Sequence, residues 1–89
     1  MNETVLFRLR KNGVSWRELD DQIVVLDLAS SKYVTINGAG AVIWEHLVSG
    51  ASVDDLVSVL VECFDIDHAT ARADTESFLD DLRQRNLLR

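Results

Sequence analysis

The side chains that most often carry out catalysis are few in this sequence. His46 and His68 are the two histidines and Cys63 is the single cysteine, so no nitrogen and sulfur ligand set for a transition metal is complete. No serine lies in the strand-to-helix turn of a hydrolase, and no glycine-rich phosphate loop with its lysine occurs. The sequence therefore predicts a protein that is not an enzyme, with no metal site and no cofactor.

Length and charge limit the classes of protein to which the chain could belong. The chain has 89 residues, with 9 Lys and Arg against 15 Asp and Glu and a net charge of -6. That length suits one small domain, which we expect to span residues 1–89. Residues 1–36 are neutral and residues 37–89 carry the whole acidic excess, which argues against a nucleic-acid partner. No signal-peptide pattern or long apolar run occurs, so we expect a cytoplasmic protein without a membrane partner.

Residues 4–36 have the period-two alternation that is typical of β-strands. The runs with strand character are 5–10, 14–19, 23–28 and 32–36. Asn12-Gly13 is a strong turn signal after the first run. We predict that a small antiparallel sheet of three strands forms here.

The pairing of the last two strands depends on the loop between them. If residues 29–31 form a three-residue loop, Leu26 faces Val34. Val24 then faces Ile36, and these four side chains point toward the core. A slip of one residue would reverse every face, because strand side chains alternate.

From Asn37 onward the apolar spacing changes to that of helices. Asn37, Ser52 and Asp67 each suit the N-cap of a helix, and an amphipathic run follows each of them. Gly50 and Asn86 suit the left-handed position after a helix. Strands followed by three helices indicate an α+β fold with the helices on one side of the sheet, which is also the shape of a winged helix-turn-helix.

That shape raises the alternative of a DNA-binding regulator. A helix in the major groove needs cationic and base-reading side chains. The second predicted helix, 53–64, has no Lys or Arg, and the third, about 68–85, has three Arg among four acids. DNA binding is therefore the weaker hypothesis, and a protein-docking or oligomerisation module is a further alternative.

Several segments, in their order and spacing, carry a more specific signal. Val-Val-Leu-Asp-Leu at 24–28 precedes Lys-Tyr-Val-Thr-Ile-Asn at 32–37 and Gly-Ala-Gly-Ala-Val-Ile-Trp-Glu-His-Leu at 38–47. The later segments are Ser52–Val57, Phe64–Asp67, Phe78–Arg83 and Leu87. Over about residues 14–88 the chain resembles the PqqD-like family. Residues 1–13 lie outside the resemblance.

The resemblance implies a winged-helix protein that binds peptide instead of DNA. Members of this family recognise the leader segment of ribosomally made, modified precursor peptides, and a free-standing member of this size most resembles those of lasso-peptide pathways. The implied function is that of a non-catalytic adaptor. The implied partners are the precursor leader peptide, a leader-cleaving cysteine protease and an ATP-dependent macrocyclase.

The resemblance also implies where the leader binds. It adds as a strand to the open edge of the third strand and lies in the groove between that strand and the third helix, a mode that uses the unpaired backbone groups of an edge. The residues expected at the edge are Lys32, Tyr33, Val34, Thr35 and Ile36. Those expected across the groove are Asp74, Phe78, Asp81 and Arg85.

Simpler roles compete with these assignments at single positions. Tyr33 is equally suited to packing on Trp16, and Asp74 to bracing Arg72. Phe78 is of a type that more often belongs to the core than to a binding site. Two departures from the family pattern also stand out. Ser30-Ser31 replaces a common glycine in the strand turn, and Asn86 replaces the usual glycine after the third helix.

Overall fold

The computed structural model of the protein describes residues 5–89, so the part of the predicted domain at 1–4 lies outside the described residues. Three strands precede three helices, which confirms the predicted α+β fold. The elements are β1 (Val14–Leu19), β2 (Gln22–Asp27), β3 (Lys32–Asn37), α1 (Gly38–Ser49), α2 (Val53–Phe64) and α3 (His68–Gln84). None of the helices in the described part of the chain is long and apolar enough to cross a membrane.

The sheet is antiparallel, with β2 between β1 and β3. A two-residue turn, Asp20-Asp21, joins the first two strands, so that Leu19 pairs with Gln22. Trp16 pairs with Val25 on the face that meets the helices.

The register of β2 against β3 differs from the predicted one by one residue. Val25 pairs with Val34 and Ile23 pairs with Ile36. These pairs face the core, where Ile23 and Val25 are fully buried.

The predicted core positions Val24 and Leu26 were therefore wrong, because both lie on the outer face. The cause is the connection, which has four residues, 28–31, instead of three. Ser31 has the left-handed φ of 60°, and its N–H donates to the carbonyl of Asp27 at 2.8 Å. One added turn residue shifts the register by one and reverses the faces of β2.

Residues 5–10 do not form a strand of the sheet. Phe7 makes an isolated bridge to Ala51, and Leu9 makes another to Leu88. This segment therefore ties the α1–α2 connection to the C-terminal tail. The turn predicted at Asn12-Gly13 is present, with Gly13 at a φ of 77°.

All three predicted residues take N-cap positions, and two of them cap their helix with a side-chain hydrogen bond. Ser52 forms a capping box with Asp55, in which each side chain accepts a hydrogen bond from the other residue's N–H. Asp67 caps α3 by accepting from the N–H of Thr70 at 2.7 Å. Asn37 takes the N-cap position of α1, but its side chain makes no capping bond to the described residues.

The core lies between the inner face of the sheet and the three helices. Trp44 of α1 is completely buried at its centre and contacts Trp16 edge-on, with ring centroids 6.1 Å apart. Asn86 adopts the predicted left-handed conformation, with a φ of 59°, and turns the tail so that Leu87 is buried against this core.

Candidate functional site

The outer edge of β3 has unpaired backbone groups. The N–H of Leu28 donates to the carbonyl of Gly13. This bond fixes which residues of β1 and β2 bond to each other, and therefore which residues of β2 are left to bond to β3. Because antiparallel bonding alternates, Val34 bonds to β2, while the backbone groups of Tyr33 and Thr35 point outward. Within residues 5–89 their N–H groups have no backbone acceptor.

A groove lies beside this edge, between β3 and the C-terminal end of α3. The Cα atoms of β3 and α3 stay more than 8 Å apart, which leaves a space of about 340 Å³. The lining residues are Val25, Asp27, Ser30, Lys32, Tyr33, Val34, Gln84, Arg85 and Leu87. We call this space the β3–α3 groove.

The floor of the groove is apolar and its rim is charged. Val25, Val34 and Leu87 belong to the core or pack against it. Lys32 and Arg85 are exposed on opposite walls. An extended chain in the groove would bury apolar side chains downward and meet cations at the rim.

Asp27 supplies a fixed negative charge at one end of the groove. Burial acts to raise the pKa of Asp27, but the N–H of Ala29 and the guanidinium of Arg10 outweigh it, and the pKa lies below its ordinary value of 3.8. Arg10 donates to this carboxylate at 3.2 Å. The carboxylate is therefore ionised at neutral pH and already has a cationic partner.

The residues predicted on the third helix share one face of α3, with Arg85 as the C-cap directly after it. Asp74, Phe78, Asp81 and Arg85 follow each other at helical spacing. Arg85 lines the groove, and its Nε donates to the Asp81 carboxylate at 3.1 Å. Phe78 is half-buried, and Asp74 and Asp81 are exposed. The structure thus brings Arg85 to the groove itself, with Asp81 beside it.

Ile36 and Phe78 meet where α3 passes the start of α1. Ile36 is only 6% exposed and belongs to the core. Side-chain atoms of both residues lie within 3 Å of where a Cβ on Gly40 would be. Of the edge residues proposed from sequence, Ile36 is thus the least accessible, and Lys32, Tyr33 and Val34 line the groove directly.

The two simpler roles considered for Tyr33 and Asp74 are not observed. Tyr33 is 73% exposed and pairs with Leu26 on the outer face, whereas Trp16 lies on the inner face. Arg72 pairs with Asp54 at 2.8 Å instead of with Asp74.

Five residues that line the groove were not among those predicted from the sequence: Val25, Asp27, Ser30, Gln84 and Leu87. Ser30 lies in the turn between β2 and β3, at the end of the groove that Asp27 and Lys32 also line. The signal for Leu87 was its place after the left-handed Asn86, which returns the tail to the core.

Other kinds of site find no support in the described residues. Within 5–89, no three His, Cys, Asp or Glu side chains are grouped closely enough to hold a metal ion. The alternative of a DNA-binding regulator is also not supported. The exposed surface of α2 carries Asp54, Asp55 and Glu62, and these acids would repel DNA phosphates.

An open strand edge above an apolar groove, in a three-strand and three-helix fold, defines a small domain suited to binding an extended peptide. The chain belongs to the PqqD family. The sequence profile described as Coenzyme PQQ synthesis protein D (PqqD) matches residues 22–88.

Solved structures share this fold over most of the chain. One is described as TbiB1 in complex with the TbiA(beta) leader peptide, with a TM-score of 0.84 and 26% identity, covering 91% of this chain and 93% of that one. Another is a lasso peptide synthetase B1 complexed with the leader peptide, with a TM-score of 0.83 and 26% identity, covering 93% and 96%.

A third structure supports the fold alone. It is the PqqD truncation of Methylobacterium extorquens PqqCD, described as a functional, stand-alone recognition element for ribosomally synthesised and post-translationally modified peptides. Its TM-score is 0.72 at 22% identity, covering 94% of this chain and 88% of that one. No curated protein sequence gives a significant match.

Proposed function

We propose that this protein is a non-catalytic adaptor that binds the leader segment of a ribosomally made precursor peptide. The observation that carries the proposal is the open edge of β3 above the β3–α3 groove. The same fold, at 26% identity, occurs in two structures whose titles describe complexes with leader peptides.

The leader binds as a fourth strand. Its backbone exchanges hydrogen bonds with the outward groups of Tyr33 and Thr35, while alternate side chains point into the groove or along the outer face. Side chains that enter the groove meet the apolar floor at Val34 and Leu87. A leader carboxylate pairs with Lys32 or with Arg85, and Asp74, Phe78 and Asp81 extend the contact along α3.

This binding must offset the cost of ordering a flexible peptide. We expect a dissociation constant of about 1 μM or tighter, which corresponds to about -8.2 kcal/mol.

The bound precursor is presented to separate modifying enzymes. A leader-cleaving cysteine protease and an ATP-dependent macrocyclase are the enzymes we propose, and residues 1–89 act together as one leader-binding domain. The adaptor contributes the binding step, and the bond-making and bond-breaking steps belong to those enzymes.

Isothermal titration with the leader of a precursor peptide encoded near this gene tests the proposal. A scrambled leader of the same composition is the control, because it keeps charge and length but loses side-chain order. We expect saturable binding of the native leader only. Dissociation constants above about 100 μM for the native leader, or equal values for both peptides, would overturn the proposal.

A self-association module would behave differently in the same experiment. If the β3 edge served a second copy of this chain, light scattering would show a concentration-dependent dimer and the leader would not dissociate it. A monomer that binds its leader one to one supports the adaptor.

A further inference from the structure

The sheet has a second open edge, on β1. By the same alternation that governs β3, the backbone groups of Val14, Trp16 and Glu18 point away from β2. Within the described part of the chain their N–H groups find no backbone acceptor. The protein therefore offers two strand edges to extended peptides, and only the β3 edge is used by the proposed leader.

A groove of about 200 Å³ lies beside this second edge. Its lining residues are Arg8, Leu9, Arg10, Lys11, Val14, Trp16 and Val48. We call it the β1 groove. It is bounded by the N-terminal segment on one side and by the last turn of α1 on the other.

The apolar part of the β1 groove is partly exposed. Trp16 is 39% exposed and Val48 is 48% exposed. The edge-on contact with the buried Trp44 holds the Trp16 ring in place. A preorganised, exposed tryptophan is typical of the residues that dominate binding at protein interfaces.

The rim of the groove carries only positive charge. Arg8 donates to the carbonyl of Ser49 at 3.1 Å, and Arg10 is paired with Asp27. Lys11 is exposed and has no acidic partner within residues 5–89. No acidic side chain lines this groove, although the whole protein has a net charge of -6.

The charge changes sign along the same edge. Glu18 and the turn residues Asp20 and Asp21 lie at the far end of β1 and are exposed. A bound peptide with acidic residues at one end only would therefore complement the charge of this edge. Its acids would lie near Lys11 and away from Glu18.

We propose that the β1 groove is a second docking surface, which takes an extended segment of a modifying enzyme with acidic residues at one end, next to an aromatic or aliphatic side chain. The inference rests on the proposed function, because an adaptor with its β3 edge filled by leader needs another surface to contact the enzyme. The two edges are separated by two strand spacings, roughly 10 Å, so both can be filled at once.

The first test uses a defined probe. A fluorescein-labelled decapeptide with three glutamates at one end followed by alternating Tyr and Thr is titrated into the ¹⁵N-labelled protein. We expect saturable shifts of the amides of Val14, Trp16 and Glu18, with affinity falling as salt rises. No saturable binding up to about 1 mM, or shifts confined to β3, would overturn the inference.

Charge reversal locates the binding. Lys11→Glu should weaken probe binding by about threefold to tenfold, because an attraction becomes a repulsion of similar size. Arg83→Glu, an equal charge change on α3 outside both grooves, is the matched control. Equal effects of the two variants would mean that only net charge matters and would overturn the inference.

A processing assay ties the surface to an enzyme. With leader binding saturated, Lys11→Glu should slow leader removal by the cysteine protease, or closure by the macrocyclase, by about threefold or more. Unchanged rates with both enzymes would overturn the assignment, as would a dimer formed through β1. If the native leader fails to bind while the probe still shifts β1, only the adaptor proposal fails.

Discussion

Gly40 of α1 and Phe78 of α3 approach so closely that a side chain does not fit between them. A Cβ atom at position 40 would lie 2.9 Å from Cε1 of Phe78 and 2.9 Å from Cγ2 of Ile36. Glycine therefore lets α3 pack against α1 at the point where Phe78 meets the end of β3. The distance between α3 and β3, and with it the β3–α3 groove, depends on this contact.

Gly40→Ala should destabilise the protein. Overpacking costs about 1–3 kcal/mol, while alanine recovers about 1 kcal/mol of helix propensity, so we expect a net loss of about 1 kcal/mol. The melting temperature should fall by about 4–8 °C for a domain of this size. The double variant Gly40→Ala/Phe78→Leu should recover part of the lost stability, because the smaller leucine makes room for the added methyl group. If the double variant loses as much free energy of unfolding as the two single variants together, the assigned contact is contradicted.

Thr35→Pro should weaken leader binding because it removes an N–H that points to the open edge. Loss of one backbone hydrogen bond corresponds to about threefold to tenfold in affinity. Thr35→Ala keeps the N–H and should bind within about twofold of the original protein. Calorimetry gives the affinities and circular dichroism checks the fold. A folded Thr35→Pro variant with unchanged affinity would exclude this edge as the leader site.

Lys32→Glu should weaken leader binding and flatten its dependence on salt. The lysine is exposed on the rim of the β3–α3 groove, where a cation attracts an acidic leader side chain. Arg83→Glu changes the net charge equally but lies outside the groove, so its affinity and salt dependence should match the original protein. Equal behaviour of the two variants in titrations at low and high salt would rule out a specific role for Lys32.

Asp67 should make the stability of the protein depend on pH in acid. The N–H and hydroxyl of Thr70 hold the pKa of Asp67 below its ordinary 3.8, although burial opposes them. Because the folded pKa is the lower one, the ionised carboxylate stabilises the fold above pH 3.8, and this contribution is lost as pH falls through the folded pKa.

Asp67→Ala should therefore lower the melting temperature at neutral pH, because α3 loses its N-cap. The difference in melting temperature between the variant and the original protein should shrink as pH falls below 3.8. Asp80→Ala, which removes an exposed acid inside α3, is the control. A difference for Asp67→Ala that is the same at pH 2 and pH 7 would contradict the capping role.

Of the four non-glycine residues with a left-handed φ in the described part of the chain, we expect two to tolerate or favour replacement by glycine. Ser31 and Asn86 have φ values of 60° and 59°. The left-handed conformation is less favourable for serine than for asparagine. Ser31→Gly should therefore raise the free energy of unfolding by up to about 1 kcal/mol, while Asn86→Gly should change it by less. Thermal melts of both variants, with Ser30→Gly as the control, check the order. Destabilisation by Ser31→Gly would show that the Ser31 conformation is not strained.

The helices were predictable because their signals are local. The capping residues Ser52 and Asp67 and the apolar stripe of α2 lie within a few residues of the structure they determine. The β2–β3 register was not predictable in this way. It depends on a left-handed serine at position 31, a conformation that serine adopts rarely and that side-chain type does not signal.

The candidate site was also predictable only in part. The family resemblance placed β3 and Arg85 beside the groove, because strand order and helical spacing carry that information. Leu87 and Ser30 were missed as groove residues, since each reaches the groove through the path of a turn. The β1 groove was also not foreseen, because it is built partly by residues 8–11, which have no regular secondary structure.

The bridge between Leu9 and Leu88 has a practical consequence for anyone shortening the chain. The N–H of Arg10 donates to the carbonyl of Leu87, and the N–H of Arg89 donates to the carbonyl of Arg8, each at 2.8 Å. A fragment trimmed to the profile-matched residues 22–88 would lose β1 together with the backbone hydrogen bonds that hold Leu87 and the C-terminal tail in place. Residues 8–10 thus hold in place a C-terminal tail whose Leu87 lines the β3–α3 groove.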